Sequence, residues 1–282
     1  MKFIELKIKK RSFAKYNAIA ENIQIELSGS IAFSSLPYSD ILSEEKLAKS
    51  GYKRINKSIV VARGDGRSPQ QIIEAGGFHP YGAITGQYKE PKEILDVEAH
   101  RYHSDGSGFV SCTGDMRVAK NFSFTGPTDS IQLKAQLKNV GYVYLIMVTG
   151  AVGPGHGTMF KFEKEYSVPA GIDAQQIIAH REVRDLKMRD FKGSSIFVNL
   201  DFIKRYPDPK LWKKIVSAYL MDDEELESTD LLANLIDSQI KQSDISQALY
   251  SVGGSARFFS TSVASRSNGL DQPVRYNIQS SL

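Results

Sequence analysis

The sequence predicts an α+β fold. Short β-branched and aromatic runs, bounded by glycine, occupy residues 58 to 200, and helical spacing with capping residues takes over after Asp201. With 282 residues and 41% apolar content, the chain can bury one sizeable core and a smaller appendage.

Taken from the N-terminus, Phe3 to Lys9 reads as a strand and Ser43 to Lys49 as a short helix within an otherwise polar, Ser-rich segment. Ile59 to Ala62 is the β-branched run of a buried strand, with Arg63 at its end. Gly64, Asp65 and Gly66 then turn the chain, Ser68 caps, Pro69 takes the first helical position, and Gln70 to Glu74 form a short helix closed by Gly76-Gly77. An arginine ending a buried strand is aimed into whatever cleft the sheet forms. Its guanidinium suits a bidentate grip on phosphate or carboxylate, with a structural salt bridge as the alternative.

Gly108 to Gly114 reads as a second strand, with Ser111 and Thr113 on one face and Val110 and Cys112 on the other. Small hydroxyls there can orient a neighbouring carboxylate. Tyr142 to Thr149 is a central buried strand that feeds the Gly-rich stretch Gly150 to Thr158. Glu163 and Glu165 follow, and on extended backbone a period of two sends both carboxylates to one face and Lys164 to the other. Like charges held side by side suit chemistry or cation binding.

Beyond residue 200, Asp208 to Leu220 and Ser228 to Ile240 show capped helical spacing, and Asp244 to Leu249 is a shorter third candidate. From Gly253 onward Ser, Gly and Asn dominate, which predicts a loose tail. There are no internal repeats.

A net charge of +4 spread over 36 basic and 32 acidic residues offers no nucleic-acid patch, and the densest basic cluster, Lys7 to Arg11, reads as a solvated face. No apolar run reaches the ~18 residues of a membrane-spanning helix, and the first residues lack the apolar region of a secretory signal. Cys112 stands alone, which excludes an internal disulfide and suits a reducing compartment. His79, His156 and His180 have no ligand-like spacing, so no metal is expected.

In order, the Arg-ended strand, the aromatic-Val-Ser-x-Thr strand and Glu-x-Glu resemble the Arg-Ser-Glu class of mono-ADP-ribosyltransferase toxins, the cholera and pertussis A-subunit type. Arg63-Gly-Asp-Gly-Arg-Ser-Pro-Gln-Gln-Ile72 is similar to that family's Arg-x-Asp-x-Arg-x-Pro-x-x-Ile opening, and Gly76-Gly-Phe-His-Pro-Tyr-Gly82 to its Gly-Gly-x-x-Pro-x-Gly turn. Glu163 to Val183 is similar without gaps to the cholera-type run after the paired glutamates, so the resemblance spans roughly residues 58 to 185. Cys112 replaces the middle serine of the usual Ser-Thr-Ser and should point away from the cleft. Phe259-Ser-Thr-Ser262 matches those letters better but follows Glu-x-Glu, out of the family's order.

The resemblance implies a split β-sheet core with flanking helices, and NAD+ as co-substrate without a metal. Glu165 would hold the reacting ribose with Ser111 orienting it, Arg63 would hold the pyrophosphate, and Gly64, Asp65 and Thr113 would complete the NAD+ site. A histidine before the Ser strand belongs to the same site. His100 and His103 compete for that position, and Leu95-Asp96 ahead of His100 favours His100. Glu163 would face the acceptor, and the turn from Ala151 to Phe162, tipped by Phe160 and Phe162, would recognise the target.

The implied organisation is an N-terminal extension at 1–57 with room for a delivery signal, an NAD-binding core at 58–200, a helical extension at 201–252 and a flexible tail at 253–282. The implied protein is a bacterial effector that acts in the host cytosol. It would transfer ADP-ribose to an Arg, or alternatively a Thr, of a host protein such as ubiquitin, a small GTPase, a G protein or actin. An NAD+ glycohydrolase and an inactive binding module on the same scaffold are the alternatives.

Overall fold

In a computed structural model of the chain, the described residues are 1–10, 25–30, 38–84, 95–102, 106–154, 164–191, 193–220, 224–228, 230–239 and 241. In chain order their strands are β1 (Phe3–Leu6), β2 (Ile8–Lys10), β3 (Ile25–Ser30), β4 (Tyr52–Arg54), β5 (Lys57–Asp65), β6 (Gly77–Phe78), β7 (Phe109–Thr113), β8 (Val140–Val148), β9 (Val152–Pro154), β10 (Glu165–Pro169), β11 (Ile172–Asp173), β12 (Ile177–Arg184), β13 (Ile196–Asn199) and β14 (Glu224–Leu226). The fold is α+β, as the pattern of runs predicts. It is built on one large antiparallel sheet in the order β1-β13-β12-β8-β5-β7-β10-β9-β4, with β3 also paired to β5.

Strand β5 organises the molecule through its period of two. Val60 and Ala62 enter an apolar cluster with Val143, Leu145, Trp212 and Tyr219, while Ile59 and Val61 enter a second cluster on the opposite face with Phe78, Tyr144, Ile146 and Val168. Arg63 continues the second set, its guanidinium carbon 5.2 Å from the centre of the Phe78 ring. Gly64 continues the first set and meets the helix Met116–Phe122.

One edge of β5 pairs with β8 along its length, from Ile59↔Val148 to Asp65↔Tyr142. The other edge is shared. It meets β3 at Ile25↔Val60 and Glu26↔Ile59, and meets β7 at Ala62↔Thr113. Beyond that point β7 turns to β10, with Ser111↔Ser167 and Thr113↔Glu165 in register. The sheet therefore opens between β5 and β7, which is the split the resemblance implies.

Local chemistry explains the ends of the helices. Ser43 caps Glu44–Lys49, Asp208 caps Pro209–Tyr219, and Ser68 forms a reciprocal capping box with Gln71 on Pro69–Glu74. Gly76 and Gly77, at φ 78° and 136°, release the chain into β6.

The expected strand from Phe3 to Lys9 is broken at Lys7. β1 pairs with β13, and β2 pairs with β14. Before residue 58, β1, β3 and β4 join the large sheet; after residue 200, β14 forms a separate two-stranded sheet with β2, and Trp212, Tyr219 and Ile236 pack into the same apolar cluster as Val60 and Ala62. Arg181, fully buried, reinforces this by donating to Glu224 Oε1 and Oε2 at 2.8 Å and to the Phe191, Ser194 and Tyr219 carbonyls. Residues 230–239 are helical. The short helix expected at Asp244 to Leu249, the tail at 253–282 and Phe259–Ser262 lie outside the described residues.

Candidate functional site

A cavity of about 390 Å³ opens at the split, within the range of small-molecule sites. β5 contributes Arg63 and Gly64 to its wall, β7 contributes Ser111 and Thr113, β10 contributes Glu165, and the helix Val97–Tyr102 contributes His100.

Arg63 bridges the opening between β5 and β7. Nη1 donates to the Ser111 carbonyl at 2.6 Å and Nη2 to Asp65 Oδ2 at 3.3 Å. Nε is buried without a hydrogen-bond partner among the described residues. A guanidinium has five N–H donors, so donors remain for an anion in the cavity.

Asp65 has a different place from the one the resemblance implies. It is 1% exposed and does not line the cavity. Its carboxylate accepts from Arg67 N, Nε and Nη2 at 3.0, 2.8 and 2.7 Å. Burial pushes the carboxyl up, but the Arg67 hydrogen bonds and the Arg63 and Arg67 charges outweigh it and hold the group below the usual carboxylate range. Asp65 is thus the buried anchor that Arg63 and Arg67 share behind the cavity lining. Gly64 does line the cavity, but packing also requires it. A Cβ there would overlap the Ala119 carbonyl oxygen and lie 2.6 Å from Ser123 N.

On β7 the alternation is as expected. Ser111 and Thr113 share a face, and Cys112 sits in the apolar cluster behind, its thiol pushed up to about 12 by burial. Thr113 Oγ1 accepts from Asp115 N at 3.0 Å, and Asp115 caps the helix Met116–Phe122.

His100 is held from behind. Asp96 Oδ1 accepts from Glu98 N and Ala99 N and so caps the helix that presents the imidazole. His100 Nδ1 is 2.6 Å from Ser107 Oγ, and Nε2 is 2.8 Å from Ser111 Oγ and 3.9 Å from Glu165 Oε1. Sequence reasoning expects Ser111 to orient Glu165 directly. The structure sets Ser111 Oγ against His100 Nε2, with the same nitrogen beside Glu165. His103 lies outside the described residues.

Glu165 opens β10 with its side chain one-fifth exposed at the cavity. Lys164 is not extended, as the alternation argument requires, but left-handed at φ 43°, and its carbonyl accepts from Gly114 N at 2.9 Å. The period-two relation between Glu163 and Glu165 therefore does not follow from the backbone. Glu163, Phe160 and Phe162 lie outside the described residues.

Sequence reasoning assigns no site role to Arg67, Phe78, Ser107 or Tyr81. Arg67, Phe78 and Tyr81 sit within the quoted motifs, so their spacing carried a signal; Ser107 carried none. His180 stands apart from the cavity. It is buried against Phe197 with ring centres 4.9 Å apart, and burial lowers its pKa to about 3.

No family model matches the chain, and neither does any curated protein. Among solved structures it is similar to the Scabin toxin from Streptomyces scabies in complex with NADH, at 20% identity and a TM-score of 0.36, covering 57% of this chain and 79% of that one. A single-residue variant of Scabin gives 18% identity, a TM-score of 0.38 and coverages of 60% and 88%. A guanine-specific ADP-ribosyltransferase gives 19%, 0.34, and coverages of 52% and 79%. Likenesses at these TM-scores carry no inference about activity.

Proposed function

We propose that this chain is an NAD+-dependent mono-ADP-ribosyltransferase, a glycosyltransferase that breaks the nicotinamide–ribose bond and passes ADP-ribose to a side chain of a host protein. The observation that carries this reading is that Arg63, the His100–Ser111 pair and Glu165, from separate segments of the chain, line one cavity at the split between β5 and β7.

Cleavage of that bond sends the glycosidic electron pair to nicotinamide and leaves positive charge on the ribose, as in glycoside hydrolysis. A carboxylate set beside the sugar stabilises that charge as it grows. Glu165 takes this part, and the guanidinium donors of Arg63 suit the pyrophosphate. Binding energy from the rest of the dinucleotide then holds the ribose in a reactive conformation. The acceptor forms the new bond to the ribose carbon and gives up a proton. The resemblance assigns that proton to Glu163, and the recognition of the target to Phe160 and Phe162.

An Arg acceptor, or a Thr, on a protein such as ubiquitin, a small GTPase, a G protein or actin fits the resemblance. Action in the host cytosol fits the single, buried Cys112.

The test is incubation with labelled NAD+ in host-cell lysate, with guanine nucleotides in a parallel arm because one similar structure bears that specificity. A labelled protein band supports the reading, a labelled guanine nucleotide moves the acceptor to a guanine base, and free ADP-ribose alone points to a glycohydrolase. Glu165→Gln lowers turnover about 10²- to 10³-fold or more. Equal turnover by wild type and Glu165→Gln contradicts the reading.

A further inference from the structure

Ser107 is 6% exposed, and its hydroxyl oxygen lies 3.1 Å from Phe109 N and 2.6 Å from His100 Nδ1. A backbone N–H only donates, so Phe109 occupies a lone pair on Ser107 Oγ and cannot receive its proton. Among the described residues the one acceptor within reach of that proton is His100 Nδ1, and a buried hydroxyl proton left without an acceptor is costly. Ser107 therefore donates to Nδ1, which must carry a lone pair, and the ring proton falls on Nε2.

From this we infer that Ser107 is a positioning residue that fixes His100 as the neutral tautomer protonated at Nε2, and so sets the direction of the hydrogen bonds that reach the cavity. Nε2–H donates to Ser111 Oγ at 2.8 Å, and the Glu165 carboxylate 3.9 Å away favours a proton on the same nitrogen. Because Ser111 Oγ accepts from His100, its own proton is free to be donated into the cavity that Glu165 lines. The run from Phe109 N–H through Ser107, His100 and Ser111 thus points one way, each bond polarising the next. With the opposite tautomer, Nδ1–H would strand the Ser107 proton, and Nε2 would draw the Ser111 proton away from the cavity. The Ser107 backbone is held as well, its carbonyl accepting from Gly82 N at 3.4 Å.

The use of this donor toward NAD+ rests on the proposed transferase reading; the tautomer itself does not. Its test is long-range ¹H–¹⁵N spectroscopy of the full chain labelled at histidine, with the His100 signals identified by their loss in His100→Gln. At neutral pH the wild type shows an unprotonated Nδ1 and a protonated Nε2. Ser107→Ala shifts His100 toward mixed or doubly protonated forms, and Ser107→Thr, which keeps the hydroxyl, restores the wild-type pattern. A proton on Nδ1 in the wild type, or a Ser107→Ala spectrum identical to it at His100, overturns the inference. If Ser107→Ala does not fold, the wild-type spectrum decides alone. Since no turnover is needed, an enzyme found inactive toward NAD+ would count against the transferase reading and leave this inference standing.

Discussion

Replacing Asp65 by Asn keeps the side-chain shape and removes the charge that two arginines share. The carboxylate accepts three hydrogen bonds from Arg67 and one from Arg63, and Arg67 is itself buried. An Asn offers one oxygen and turns an NH2 donor toward a guanidinium that can only donate. Breaking a buried pair from one side costs about 3–5 kcal/mol, and most of it falls on Arg67, because Arg63 keeps its bond to the Ser111 carbonyl and is partly exposed. At about 2–4 °C per kcal/mol for a domain of this size, the midpoint of thermal unfolding drops by about 6–20 °C.

The pH dependence has a definite sign. The folded carboxyl titrates below its ordinary value, so as pH falls the unfolded chain takes up the proton first. The Asp65 contribution is full above about pH 3.9 and is lost as pH falls through the folded value, so the gap between wild type and Asp65→Asn narrows under acid. Urea unfolding of both proteins at pH 7 and pH 3.5 measures this. A variant within about 0.5 kcal/mol of wild type at pH 7, or a gap that widens on acidification, refutes the anchoring role.

Gly64→Ala drives a methyl into the Ala119–Ser123 backbone and should destabilise by about 1–3 kcal/mol in urea unfolding. His180 stays neutral when folded down to about 3, whereas the unfolded chain protonates near 6.5. Wild-type stability therefore falls below that pH by up to ~1.4 kcal/mol per unit, and His180→Phe flattens this slope between pH 7 and 5. The Cys112 thiol, pushed up to about 12 by burial, resists alkylation at pH 8 in the native protein and reacts once the chain is unfolded; mass spectrometry distinguishes the two.

What the sequence made legible was local. The β-branched run at Ile59 to Ala62, the Ser68-Pro69 start with the Gly76-Gly77 stop, and the face shared by Ser111 and Thr113 all follow from periodicity and capping within a few residues. The order of motifs was enough to nominate Arg63, His100 and Glu165 for one cavity.

What it hid depends on distant partners. The split arises because β5 gives one edge to both β3 and β7, a register that no local pattern encodes. Asp65 turned out to be buried because Arg67 folds back onto it, and Gly64 is required by a helix more than fifty residues downstream. Ser107 lies in a loop with no period, so its hold on His100 is visible only in three dimensions. The left-handed Lys164 shows the reverse error, a strand rule carried back beyond the strand's first residue, Glu165.

The most direct measurement is a crystal structure with a non-hydrolysable NAD+ analogue. It should show the pyrophosphate on Arg63 and the nicotinamide-side ribose between Ser111 and Glu165. An analogue bound elsewhere, or one bound here with its phosphates away from Arg63 and its ribose away from Glu165, would contradict the account.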